Sequence, residues 1–158
     1  TTVTLDGPIW VEGNIDFTSG PTIEVDSAVG ARSVQIIADD ESNRATSSSI
    51  TVGQSTEFTG SGSPKSYVLL LSQNSDAENG APENADAIAV DQSSSGDLLV
   101  YAGHGRISLS NSADLNEVTA YQIALGNSAR VTYESGLVNL LFTSGPGGSY
   151  TITSWQEI

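Results

Sequence analysis

The residues with the clearest chemical potential are carboxylates gathered in two polar stretches. Asp39, Asp40 and Glu41 are consecutive, and Asp76, Glu78, Glu83 and Asp86 follow in a later stretch. If both stretches leave the same side of the fold, their oxygens suit calcium, which takes about 6–8 oxygen ligands. The candidate calcium ligands are Asp39, Asp40, Glu41, Asp76, Glu78 and Asp86; no other cofactor is suggested. The segment Asn74-Ser-Asp-Ala-Glu-Asn-Gly80 has the composition of a calcium loop, but its Gly arrives one position late and no terminal Glu follows at the required offset. The plain alternative is a solvated acidic face.

Other chemistry is thinly represented. His104 is the single histidine and stands between two glycines. A lone His serves as a base or a ligand only with partners, and no second His or Ser-His-Asp order accompanies it. Lys65, in Gly-Ser-Pro-Lys-Ser, has turn composition and is expected to be exposed, which argues against a buried isopeptide crosslink. A polysaccharide lyase needs cations to neutralise a uronate. Arg32, Arg44, Arg106, Arg130 and Lys65 are few against 19 acids. An acid-pair glycosidase is harder to dismiss, because the separation of two carboxylates is set by the fold. Trp10, Tyr67, Tyr101, Tyr121 and Tyr133 are either a sugar-stacking stripe or ordinary strand aromatics.

The elements that must position these groups are repeats. Ile107-Ser-Leu-Ser-Asn-Ser-Ala113 returns 16 residues later as Ile123-Ala-Leu-Gly-Asn-Ser-Ala129. Looser copies begin at Ile15, Ile50 and Ile88. The copy at Ile88 fails at its last position, where Gly96 replaces an apolar residue. Within each copy, the apolar residues alternate with Asp16, Thr51, Ala89, Ser108 and Ala124, which is the pattern of a strand with one buried face. The fifth position holds Ser19, Gln54, Gln92, Asn111 or Asn127. These residues are either an inward ladder of stacked amides or simple turn residues.

A second strand type precedes each copy, around Trp10, Ile36, Leu70, Val100 and Thr119. The connections between the two types vary in length: residues 12–14, 39–49, 73–87, 103–106 and 122. Extra residues therefore fall at one corner of every repeat, as in a solenoid. The fold class expected is all-β, a short right-handed parallel β-helix, in one domain spanning residues 1–158. Repeat rungs cover about 3–135, long loops share one edge, and a C-terminal cap occupies 136–158, with Trp155 as a plug. Val3-Thr-Leu5 is expected to cap the other end. The runner-up is a β-sandwich, for which Asp6-Gly7 and Asn79-Gly80 are hairpin-type dipeptides.

Several segments form a pattern of their own: Asp97-Leu-Leu-Val-Tyr-Ala-Gly-His-Gly105, Tyr133-Glu-Ser-Gly-Leu137, Phe142-Thr-Ser-Gly-Pro-Gly-Gly148 and Trp155-Gln-Glu-Ile158. The pattern resembles the C-terminal soluble region of uncharacterised prepilin-like (type IV minor-pilin-like) surface proteins of uncultivated small-genome bacteria. The likeness covers most of the chain. Those proteins typically begin with an apolar pilin-like helix, which this sequence lacks. The resemblance implies an extracellular, cell-surface, β-helical domain, and it carries over no catalytic or binding residue.

Charge and composition narrow the partners. The 158 residues carry a formal net charge of -14, with no Cys and no Met. Such a surface repels nucleic acid and anionic lipid. Without Cys there is no disulfide scaffold and no thiolate nucleophile. The expectation is a non-enzymatic structural or adhesive domain at the cell surface. It would meet membrane only through a segment upstream of this sequence. Its partners are cell-surface or pilus components, glycans or further copies of itself. The partner-binding edge is expected at Asp39, Arg44, Asn74, Glu83 and His104, since binding residues favour loops on rigid scaffolds. A carbohydrate-binding module or glycan-acting enzyme is one alternative, and a self-assembling fibre subunit is another.

Overall fold

The repeats stack as a parallel β-helix. The computed structural model describes residues 1–80, 85–133 and 141–142. Among them every strand pairing is parallel. A β-sandwich of hairpins is thereby excluded, because hairpins pair antiparallel.

Each coil contributes to three strips of sheet. The first strip contains β1 (Thr2–Leu5), β4 (Thr22–Val25), β7 (Glu57–Thr59), β10 (Ser95–Gly96), β12 (Asp114–Leu115) and β14 (Arg130–Val131), in that order. The second contains β2 (Ile9–Val11), β5 (Arg32–Ala38), β8 (Val68–Ser72) and the first halves of β11 (Leu98–Leu109) and β13 (Glu117–Leu125). The third contains β3 (Ile15–Phe17), β6 (Ile50–Val52), β9 (Ile88–Val90) and the second halves of β11 and β13. Thus β1 is a full member of the first coil rather than a separate cap.

Register makes the core. Ile15, Ile50, Ile88, Ile107 and Ile123 lie one above another. Beside them run Phe17, Val52, Val90, Leu109 and Leu125. In the second strip Ile9, Ile36, Leu70, Val100 and Val118 form a third column. The middle members are buried, each contributing about 1.5–3 kcal/mol of hydrophobic stabilisation. Phe17 meets Phe58 edge to face, with centroids 5.8 Å apart.

The turn after each third-strip strand settles the fifth position. Gly20, Ser55, Ser93, Ser112 and Ser128, the sixth residue of each copy, have left-handed backbone with φ of 57–62°. Backbone bonds from Thr56 to Gly53, Ser94 to Asp91, Ala113 to Ser110 and Ala129 to Gly126 close the four later turns. This twist throws Ser19, Gln54, Gln92, Asn111 and Asn127 outward to solvent. The seventh residue turns inward instead, so Pro21, Thr56, Ser94 and Ala113 are buried. The inward amide ladder is therefore absent among these residues, and the turn reading holds.

Gly96 breaks the repeat for a steric reason. Its φ is 122°, and a Cβ there would collide with the backbone carbonyl of Phe58 in the coil beside it. The apolar position is given up so that the two backbones can pair as Gly96 and Phe58.

Of the expected C-terminal cap, residues 136–158, only 141–142 are described. β15 (Leu141–Phe142) pairs with Arg32 and Ser33 of β5, near the start of the stack, not on the last coil. The remaining residues of the expected cap, including Trp155, lie outside the described residues.

Two substitutions test this account in urea unfolding. Gly96→Ala is expected to destabilise by about 3 kcal/mol or more, since it adds both a clash and an unfavourable φ. Ser112→Gly is expected to stabilise slightly, by up to about 1 kcal/mol, because glycine adopts the left-handed turn without a Cβ penalty. A stabilised Gly96→Ala protein would overturn the packing account.

Candidate functional site

The variable connections do share one corner, between the second and third strips, and the structure shows what holds them. Asp39 ends β5's inward run and is buried. Its two oxygens accept from Arg44 Nε at 2.7 Å and a terminal guanidinium nitrogen at 2.9 Å. This bidentate pair folds the 39–49 loop back on its own base. The hydrogen bond to Asp39 raises the pKa of Arg44 above its ordinary value; burial opposes this, and the charges of Asp39 and Glu41 add to it. A raised cation pKa gives stability that is present at neutral pH and lost only in strong alkali, so pH does not switch this pair near neutrality.

Adjacent loops are then stitched to one another. The Asp40 N–H donates to Ser48 Oγ at 2.6 Å, and Ser72 Oγ donates to the Ser48 carbonyl at 2.6 Å. Asn74 is buried; its Nδ2 donates to the Ser47 carbonyl at 2.8 Å, and its Oδ1 accepts from the Asp76 N–H at 3.0 Å. Ser75 N–H donates to the Arg44 carbonyl at 3.0 Å. Asn74 is thus a structural bridge between two coils.

The next coil repeats the device. Asp86 accepts from Arg106 Nε at 2.6 Å and from Ser108 Oγ at 2.7 Å. Gly105 is required here, because a Cβ would collide with the Ala87 side chain. His104 is pushed outward beside it, and its Nδ1 lies 2.6 Å from Glu78 Oε2, with both side chains about half exposed.

The sequence candidates are therefore brought to one edge but not to one point. Asp39 faces Arg44, Asp86 faces Arg106, Glu78 faces His104, and Asp40 accepts from Asn43 Nδ2 at 3.1 Å. Among the described residues, no three acidic or histidine side chains converge in a group that could hold a metal ion. Glu83 lies outside the described residues. Lys65 is exposed in a turn, with φ 65°.

A different constellation lies on the outer face of the second strip. Trp10, Ile37, Leu71 and Tyr101 share one column of outward parity across four coils, in which Ile37 is buried, Leu71 half-buried and the two aromatic ends exposed. Trp10 is 56% exposed and Tyr101 42% exposed. At the foot of this column Trp10 shares a concavity of about 420 Å³ with Glu12, Asp39 and Glu41. Tyr67 is buried with Leu99, so it leaves the proposed aromatic stripe, while Tyr121 and Tyr133 are exposed on the last coil. Sequence reasoning named Trp10 and Tyr101 but had no register with which to align them. Glu12 went unnoticed because it stands alone in the sequence.

Removing a carboxylate from the stitched corner should cost stability. Asp86→Ala is expected to destabilise by about 2 kcal/mol, leaving Arg106 and Ser108 without their acceptor in a partly buried site. The same sample melted in EDTA and then in millimolar calcium is expected to unfold at one temperature, once ionic strength is matched. A calcium-specific rise would show that the carboxylates rearrange around a cation.

No protein-family model matches this sequence, and comparison with curated proteins and with solved structures returns no match.

Proposed function

We propose that the chain is a non-enzymatic adhesive domain displayed at a cell surface, and that it grips glycan on the outer face of the second strip. The observation that carries this reading is the Trp10 concavity at the foot of the Trp10–Ile37–Leu71–Tyr101 column. An exposed indole offers a flat apolar platform for the C–H face of a sugar ring, and carboxylates beside it accept from hydroxyl groups. Such a mixture of apolar body and a few polar groups is typical of ligand sites.

Binding rather than turnover is favoured by Asp39. Its carboxylate is fixed by a bidentate Arg44 pair and serves the fold. A glycosidase instead needs a carboxyl group free to exchange a proton with the leaving oxygen. The preferred sugars are neutral or amino sugars, since a surface of net charge -14 repels uronates. Surface display is supported by the resemblance to prepilin-like proteins.

Affinity electrophoresis through gels containing neutral, amino-sugar or uronate polysaccharides tests the reading. Retardation by a neutral or amino-sugar polymer is expected. Trp10→Ala is expected to weaken it about tenfold or more while leaving the melting temperature nearly unchanged, because Trp10 projects into solvent. Equal retardation of wild type and variant would sink the proposal.

A further inference from the structure

Among the described residues, the strand edges at the two ends of the β-helix are unpaired and complementary. Among the described residues β1, β2 and β3 have a hydrogen-bonded neighbour on one side only, and so do β13 and β14 at the other end. Unpaired strand edges are templates for another chain. The inward columns also end in exposed apolar side chains. Val3 and Ile9 are 42% and 38% exposed in the first coil, and Ile123, Leu125 and Val131 are 49%, 63% and 41% exposed in the last. In the first coil Val3, Ile9, Ile15 and Phe17 line a cavity of about 280 Å³ that reaches down to Ile23 and Ile36.

Because every pairing is parallel, one end presents the edge that the other end needs. Extending the observed register by one coil places Val3 of a second copy on Val131, Ile9 on Val118, Ile15 on Ile123 and Phe17 on Leu125. Each of these pairs continues a column already filled by Ile, Leu, Val or Phe inside the stack, except for Gly96 in the Val3 column. The charges agree. Residues 1–31 hold five acids and no Lys or Arg. The last coil's edge carries Arg130, whose side chain is 72% exposed and 4.0 Å from Asp114. In the continued register, Arg130 enters the acidic first coil beside Thr2. Asp16 would lie on Ala124 and Glu117 beside Pro8, so among the paired strand residues described no two carboxylates face each other across the joint.

We propose that a second copy of this chain docks head to tail, its first coil on the last coil of its neighbour, continuing all three strips of sheet. The joint is heterologous and does not close, so it propagates into a filament. A single coil end on each partner sits at the low end of specific interfaces, near about 1,200 Å² in total, so association is reversible and concentration-dependent. Repulsion between chains of net charge -14 makes it tighten as salt is raised.

Sedimentation velocity from micromolar to near-millimolar protein, at low and high salt, is the test. The average mass is expected to climb without a plateau, and further at high salt. Leu125→Lys blocks the tail and Val3→Lys blocks the head; both positions are exposed, so each variant should keep the wild-type circular dichroism and remain monomeric. An equimolar mixture of the two still holds one good head and one good tail, and should form dimers and nothing larger. If Val3→Lys loses its β-sheet spectrum, Ile9→Lys blocks the same end from another strip. A wild type that stays monomeric, a plateau at dimer, or association that survives in either single variant would overturn the proposal.

Discussion

In-register parallel stacking governs this molecule. Neighbouring strands in a sheet lie about 4.8 Å apart, so each inward side chain rests on the equivalent residue of the next coil. The sequence answers that constraint with near-repetition: Ile on Ile through five coils, and Val, Leu or Phe beside it. Where a backbone must approach more closely, the repeat yields, as at Gly96 against Phe58. Where the chain must leave a strand and turn, a left-handed Ser or Gly appears at the same step of each coil.

The same constraint explains the polar corner. Loops that leave the same step of successive coils emerge side by side, and like charges would then accumulate. The corner offsets this at two of its carboxylates by supplying a cation or donor: Arg44 for buried Asp39, and Arg106 with Ser108 for partly buried Asp86. Serine hydroxyls and Asn74 join one loop to the next through backbone carbonyls. The acidic edge that the sequence offers as a cation site also serves in three dimensions as a framework. On the second strip, side chains of neighbouring coils line up in columns of outward parity.

Strand parity made the third strip, the second strip and the common corner legible from sequence, because alternation of Ile with small or polar residues survives in every copy. The first strip was legible only as a single recurring apolar position, since β10, β12 and β14 are two residues long. The Asn and Gln side chains at the fifth position had the right parity for the interior, but one left-handed residue after them reverses that parity. Ion pairs such as Asp86 with Arg106 join residues 20 apart in sequence, and no spacing announces them. The Trp10 column needed register between coils, which only the stacked structure supplies.

The pairing of β15 with β5 carries a consequence for how the molecule comes apart. A plain solenoid has only neighbour-to-neighbour contacts and can fray one coil at a time from either end. Here, two residues near the C-terminus are tied to a strand near the start of the stack. That tie links segments distant in sequence, which raises contact order and slows folding. It also couples the loss of the last coil to strain on an early one. Unfolding is thereby drawn towards a single cooperative event, an unusual property for a linear stack.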